Sequence, residues 1–102
     1  MYNIGDSVFA FWKASGLYHL GTVVEVGSGQ YHIVFEDGDQ GAVSENELMR
    51  PDLNVGSQVI AMWTDKKFYP GTVQKIVGRA LFVHFDDGDR GWTSFAGIAK
   101  KN

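Results

Sequence analysis

The chain has 102 residues, a formal net charge of −3, 14% aromatic residues and no cysteine. The missing thiols exclude disulfide staples, thiol catalysis and cysteine-ligated zinc, and fit a reducing compartment. The acidic balance argues against nucleic-acid binding driven mainly by counterion release and suits a cationic partner. No apolar run reaches membrane-spanning length, and Met1-Tyr2-Asn3-Ile4 lacks the basic and apolar regions of a signal peptide, so the expectation is a soluble, intracellular chain.

The first half of the chain is repeated in the second. Gly5, Val8, Ala10 and Trp12 recur as Gly56, Val59, Ala61 and Trp63. Gly21-Thr22-Val23 recurs as Gly71-Thr72-Val73, and Phe35-Glu36-Asp37-Gly38-Asp39 as Phe85-Asp86-Asp87-Gly88-Asp89. A period of roughly 50 residues suits one small all-β unit per copy. The expected units are 1–50 and 51–102, each near the lower size limit for a self-sufficient core and so expected to pack together.

In chain order, Val8 to Trp12 reads as a strand that is apolar on both faces, Val8, Ala10 and Trp12 alternating with Phe9 and Phe11. Val59 to Trp63 repeats it with Ile60 and Met62 on the second face. One face fills a barrel, and Phe9, Phe11, Ile60 and Met62 are expected to meet between the copies. Thr22 to Val26 and Thr72 to Val77 read as second strands, each entered through a glycine. Gly27-Ser28-Gly29 breaks the chain. Tyr31, Ile33 and Phe35, like Leu81, Val83 and Phe85, alternate in third strands that end at an Asp-Gly turn. Ser44 to Leu48 and Ser94 to Ile98 read as single helical turns, with Ser44 and Glu47 spaced as a capping box. Met49 to Val55 is a short connector that restricts the orientation of the copies, and Lys100-Lys101-Asn102 reads as a frayed end.

The order Val-x-Ala-x-Trp, an aromatic before Gly-Thr-Val, then Phe-[Asp/Glu]-Asp-Gly resembles the Tudor domain, twice over nearly the whole chain. It is similar to the tandem Tudor methyl-lysine readers of the DNA-damage response and to the Tudor domains of Polycomb-like chromatin proteins. The resemblance implies an all-β fold of two tandem five-stranded SH3-like barrels packed on each other. It also implies a binding module for methylated lysine in a basic peptide such as a histone tail, nuclear in a eukaryote and otherwise cytoplasmic. Carried over, the ligand box is Trp63, Tyr69, Phe85 and Asp87 in the second copy, with Trp92 as a further wall or a packing residue. In the first copy it is Trp12, Phe35 and Asp37. There the stretch from Trp12 to Leu20 is one residue longer than its counterpart, so counting from the tryptophan selects Tyr18 and counting back from Gly21 selects His19.

These residue types suit that ligand. A methylated ammonium keeps its charge but loses much of its hydration, and electron-rich ring faces can replace the water at roughly 0.5 to 2 kcal/mol per contact. A carboxylate at the wall accepts any remaining N–H, which favours mono- or dimethyl-lysine over the trimethyl form. Each residue also has a plainer reading. Trp12 and Trp63 could be barrel rim, Phe35 and Phe85 core by alternation, and Asp37 and Asp87 turn formers.

Other chemistry is poorly supported. His19, His32 and His84 match no zinc spacing, and Asp37-Gly38-Asp39 and Asp87-Gly88-Asp89 lack the remainder of a calcium loop. No nucleophile elbow or phosphate loop is present, so neither an enzyme, a metal nor a cofactor is expected. The alternative function is a nucleic-acid-binding small barrel in which Trp12, Tyr18, Trp63, Tyr69 and Trp92 stack bases while Lys13, Lys66, Lys67 and Arg79 contact phosphate. A methyl-independent protein-interaction domain is a third. Clustered lysines beside the aromatics would favour nucleic acid; clustered acids would favour a basic tail.

Overall fold

Alternating side chains set the framework, because successive residues of a strand face opposite sides. In the computed structural model, which describes residues 1–101, the first half forms β1 (Ser7–Trp12), β2 (Leu17–Gly27), β3 (Gln30–Phe35), β4 (Gln40–Val43) and β5 (Leu48–Met49). The second half repeats them as β6 (Gln58–Met62), β7 (Phe68–Val77), β8 (Ala80–Phe85), β9 (Arg90–Ser94) and β10 (Ile98–Lys100). Single 3₁₀ turns, Glu45–Glu47 and Phe95–Gly97, precede β5 and β10. The Ser44 N–H donates to Glu47 Oε1 at 3.0 Å, the expected return bond of the capping box. No helix among the described residues is long and apolar enough to cross a membrane.

The fold is all-β, but the halves are not two separately closed hydrogen-bonded units. All pairing is antiparallel within one open sheet of order β4-β3-β2-β10-β6-β7-β8-β9, with β1 paired to β2 and β5. The join is β10. Ile98 and Ala99 pair with Ala61 and Ile60 of β6, while Ala99 and Lys100 pair with His19 and Tyr18 of β2. Lys100, expected to begin a frayed end, is instead the last residue of this central strand, paired with Tyr18, while Lys101 lies exposed beyond it and Asn102 lies outside the described residues.

β1 shows why its two apolar faces are needed. Val8 and Ala10 enter a core with Val23, Tyr31, Ile33, Phe35, Val43 and Leu48, all from the first half, and Trp12 packs against it. Phe9 turns the other way, into a core built mainly by the second half, where Tyr18 and Leu20 join it and Phe11 packs alongside. The expected junction thus holds for Phe9 and Phe11. Ile60 and Met62, like Phe11, are half-buried, and Met62 meets first-half residues across a shared cavity. Burial of Phe9 alone contributes roughly 1.5 to 3 kcal/mol.

The second strands start earlier than the pattern suggested, placing Gly21 and Gly71 inside β2 and β7 rather than at their entrances. Both sit where two strands approach closely: a Cβ at Gly71 would come 2.7 Å from Val83 Cγ1. Irregularities at Val23/Glu25 and Val73/Lys75 then bend each long strand, so that it pairs with one neighbour along its first part and another along its second.

Candidate functional site

At one end of the second half, four sequence-selected residues come together. Trp63, the residue after β6, meets Phe85, at the end of β8, edge to face with centroids 5.1 Å apart and planes at 78°. Tyr69 and Asp87 join them around an open hollow of about 230 Å³, together with Asp65 and Asp89. Asp87 serves the turn as its plainer reading expects, since its Oδ1 accepts the Asp89 N–H at 3.0 Å beside the turn at Gly88. Its Oδ2 has no protein donor among the described residues. Phe85 likewise does two things: it is core, only 4% exposed, and it contributes to the hollow.

Two supports of this arrangement escaped the sequence reading. Asp65 accepts the Tyr69 hydroxyl at 2.6 Å on Oδ2 and the Lys67 N–H at 2.9 Å on Oδ1. The bond from Tyr69 and that from Lys67 lower the Asp65 carboxyl below its ordinary range, and the same carboxylate raises the Tyr69 phenol. The turn that presents Asp65 puts Lys66 at φ 68°, a left-handed conformation for which the first half uses Gly16. Gly91 is the other support. A Cβ there would stand 2.6 Å from Trp63 Cζ3, so the bare backbone of β9 lets the indole lie against it.

The first half builds its hollow differently. Trp12 and Phe35 repeat the edge-to-face pair, 5.2 Å apart at 77°. By strand register His19 is the positional match of Tyr69, since it lies opposite Ala10 as Tyr69 lies opposite Ala61. Tyr18 is instead buried beside Phe11, their centroids 5.4 Å apart. His19 and Trp12 line a cavity of about 340 Å³ with Phe35, Asp37 and Asp39, closed from the second half by Met62, Phe68 and the Thr93–Gly97 segment. Ser15 Oγ and His19 Nε2 are 2.7 Å apart, the counterpart of the Asp65–Tyr69 bond. Burial pushes the imidazole below its ordinary value, while Asp37 and Asp39 pull it upward.

The family model for a domain of unknown function, DUF4537, matches residues 5–94. This chain belongs to that family. Among solved structures it is similar to Arabidopsis thaliana AGDP1 AGD34, at 16% identity and a TM-score of 0.48 over 98% of this chain and 82% of that one.

Elsewhere in this DUF4537 chain, Trp92 does not join the hollow at Trp63. It packs on Phe82, with centroids 5.0 Å apart, and remains 55% exposed, because β9 pairs it opposite Phe82. The basic residues also avoid both hollows: neither lining includes a lysine or arginine. Arg79 pairs with Glu36 across the halves and lies 5.0 Å above the Phe95 ring. Lys13 lines a separate hollow with Phe11 and Trp12.

Proposed function

We propose that this chain is a non-catalytic binding module, each half a Tudor-like unit, that recognises methylated lysine in a basic peptide chiefly through Trp63, Tyr69, Phe85 and Asp87. The observation that carries this reading is the composition of the 230 Å³ hollow: three aromatic side chains and three carboxylates, with no basic side chain in its lining. Such a wall attracts a poorly hydrated cation through ring faces and through charge. It repels phosphate, which sets the reading against nucleic acid. Ordering of the peptide offsets much of the attraction, leaving a single-site Kd in the high micromolar to millimolar range, about −4 to −6 kcal/mol. A histone tail is the natural basic peptide for such a site, and a nuclear setting in a eukaryote goes with it.

Calorimetric titration of a lysine-rich peptide in its unmethylated, mono-, di- and trimethyl forms tests this, with a single-stranded oligonucleotide at two salt concentrations as the competing ligand. Binding should depend on methylation and vanish in a folded Trp63→Ala protein. Asp87→Asn should weaken the dimethyl peptide by about 1 kcal/mol, roughly fivefold for an exposed charge-assisted bond, and affect the trimethyl peptide less. Oligonucleotide binding that falls steeply with salt and tightens in Asp87→Asn, without any methyl dependence, would establish the nucleic-acid alternative instead.

A further inference from the structure

The first half lacks the tyrosine that its counterpart carries, yet the space in front of His19 is not ringless. Phe68, from the second half, stands edge to face with His19, centroids 5.7 Å apart and planes at 85°. With the Trp12–Phe35 pair at 77°, two perpendicular ring pairs contribute to the 340 Å³ cavity, which Asp37 and Asp39 make acidic. Asp37 is held as Asp87 is, its Oδ1 accepting the Asp39 N–H at 3.0 Å. The Glu36–Arg79 ion pair ties this turn to the second half, and the lining holds no lysine or arginine.

We propose that the junction cavity is a second cation site, assembled from both halves, in which Phe68 supplies the ring that the first half lacks and Asp37 and Asp39 supply the charge. Its occupant is an alkylated ammonium group, such as a second lysine side chain of the same basic peptide. The assignment rests on the cation-binding reading of the second-half hollow, but it concerns a different set of residues. It makes the packing of the halves part of the binding site, because neither half alone contains the full lining.

The test is titration of the whole chain with N-acetyl-dimethyl-lysine amide near neutral pH, following the three indole N–H resonances by NMR. Trp12 and Trp63 should both shift and saturate, while Trp92, away from both cavities, stays still. Phe68→Ala should weaken the Trp12 response about tenfold and leave the Trp63 response unchanged. Asp37→Asn combined with Asp39→Asn should do the same without touching a ring, which guards against a folding defect in the first variant. Movement of Trp63 alone rejects the junction site while sparing the second-half site. Silence of both rejects the two readings together, and a Trp12 shift that survives both variants rejects the composite construction.

Discussion

Trp63 lies against Gly91 so closely that a single added methyl would approach Cζ3 to 2.6 Å. That is nearer than carbon atoms tolerate, and Trp63 is partly exposed, so the ring rather than the backbone would give way. Gly91→Ala should reduce binding of a dimethyl-lysine peptide about tenfold or more while the protein stays folded. The equivalent change at Gly41 meets Trp12 only at 3.4 Å and should be much milder. Near-ultraviolet circular dichroism and calorimetry on the two variants check the contrast; equal effects would mean that indole placement is not what Gly91 provides.

Asp65 should act through Tyr69. With the carboxylate removed in Asp65→Ala, the Tyr69 phenol loses the acceptor that raises its pKa and should titrate closer to the ordinary tyrosine value. The ring loses its tether at the same time, so peptide affinity should fall a few-fold. Ultraviolet titration of the phenols together with peptide binding reads both effects. An unchanged tyrosine titration would show that the 2.6 Å contact does not persist in solution.

The placement of Phe9 predicts unequal halves. The core of the first half uses only its own residues, whereas that of the second takes Phe9, Tyr18 and Leu20 from the first half. Residues 51–102 expressed alone should therefore fail to fold cooperatively, while residues 1–50 retain a core but expose three apolar side chains. In the whole chain, Phe9→Ala should cost about 3 to 5 kcal/mol and lower the single thermal transition. Independent melting of the second half at the temperature of the whole chain would contradict a shared core.

The repeat and the two-residue period made the strands legible, and the double-sided pattern of β1 foretold a junction through Phe9 and Phe11. What pattern could not convey was long-range pairing. Ile98-Ala99-Lys100 is too short to announce a strand, and only its simultaneous pairing with β2 and β6 makes it the central seam. The site was legible where the halves agree, at Trp63, Phe85 and Asp87. It was ambiguous at Tyr18 and His19 because an inserted residue shifts the count, and only strand register identifies His19 as the match of Tyr69. Phe68 was invisible as a partner of the first half, since nothing local links it to a residue 49 positions away. Trp92 misled because closeness in sequence to the acidic turn says nothing about which face of β9 it occupies.

The last prediction concerns pH. His19 is half-buried, and its desolvation outweighs the opposing pull of Asp37 and Asp39, so its pKa in the folded chain lies below the ordinary value of 6.5. Protonation therefore favours the unfolded chain. The stabilising contribution of neutral His19 is fully present above pH 6.5 and is lost as the pH falls through the folded pKa. The same proton places a like charge in the junction cavity, which should weaken cation binding there by about 1 kcal/mol, roughly fivefold. The hollow at Trp63 has no histidine in its lining and should change little over that interval. Titrating dimethyl-lysine amide across a series of pH values falling from about 7.5, with separate readout at Trp12 and Trp63, should show the loss at Trp12 only. His19→Gln keeps a polar partner for Ser15 without the ionisation and should flatten the Trp12 profile. A profile that keeps its slope in this variant would rule out the imidazole as its source.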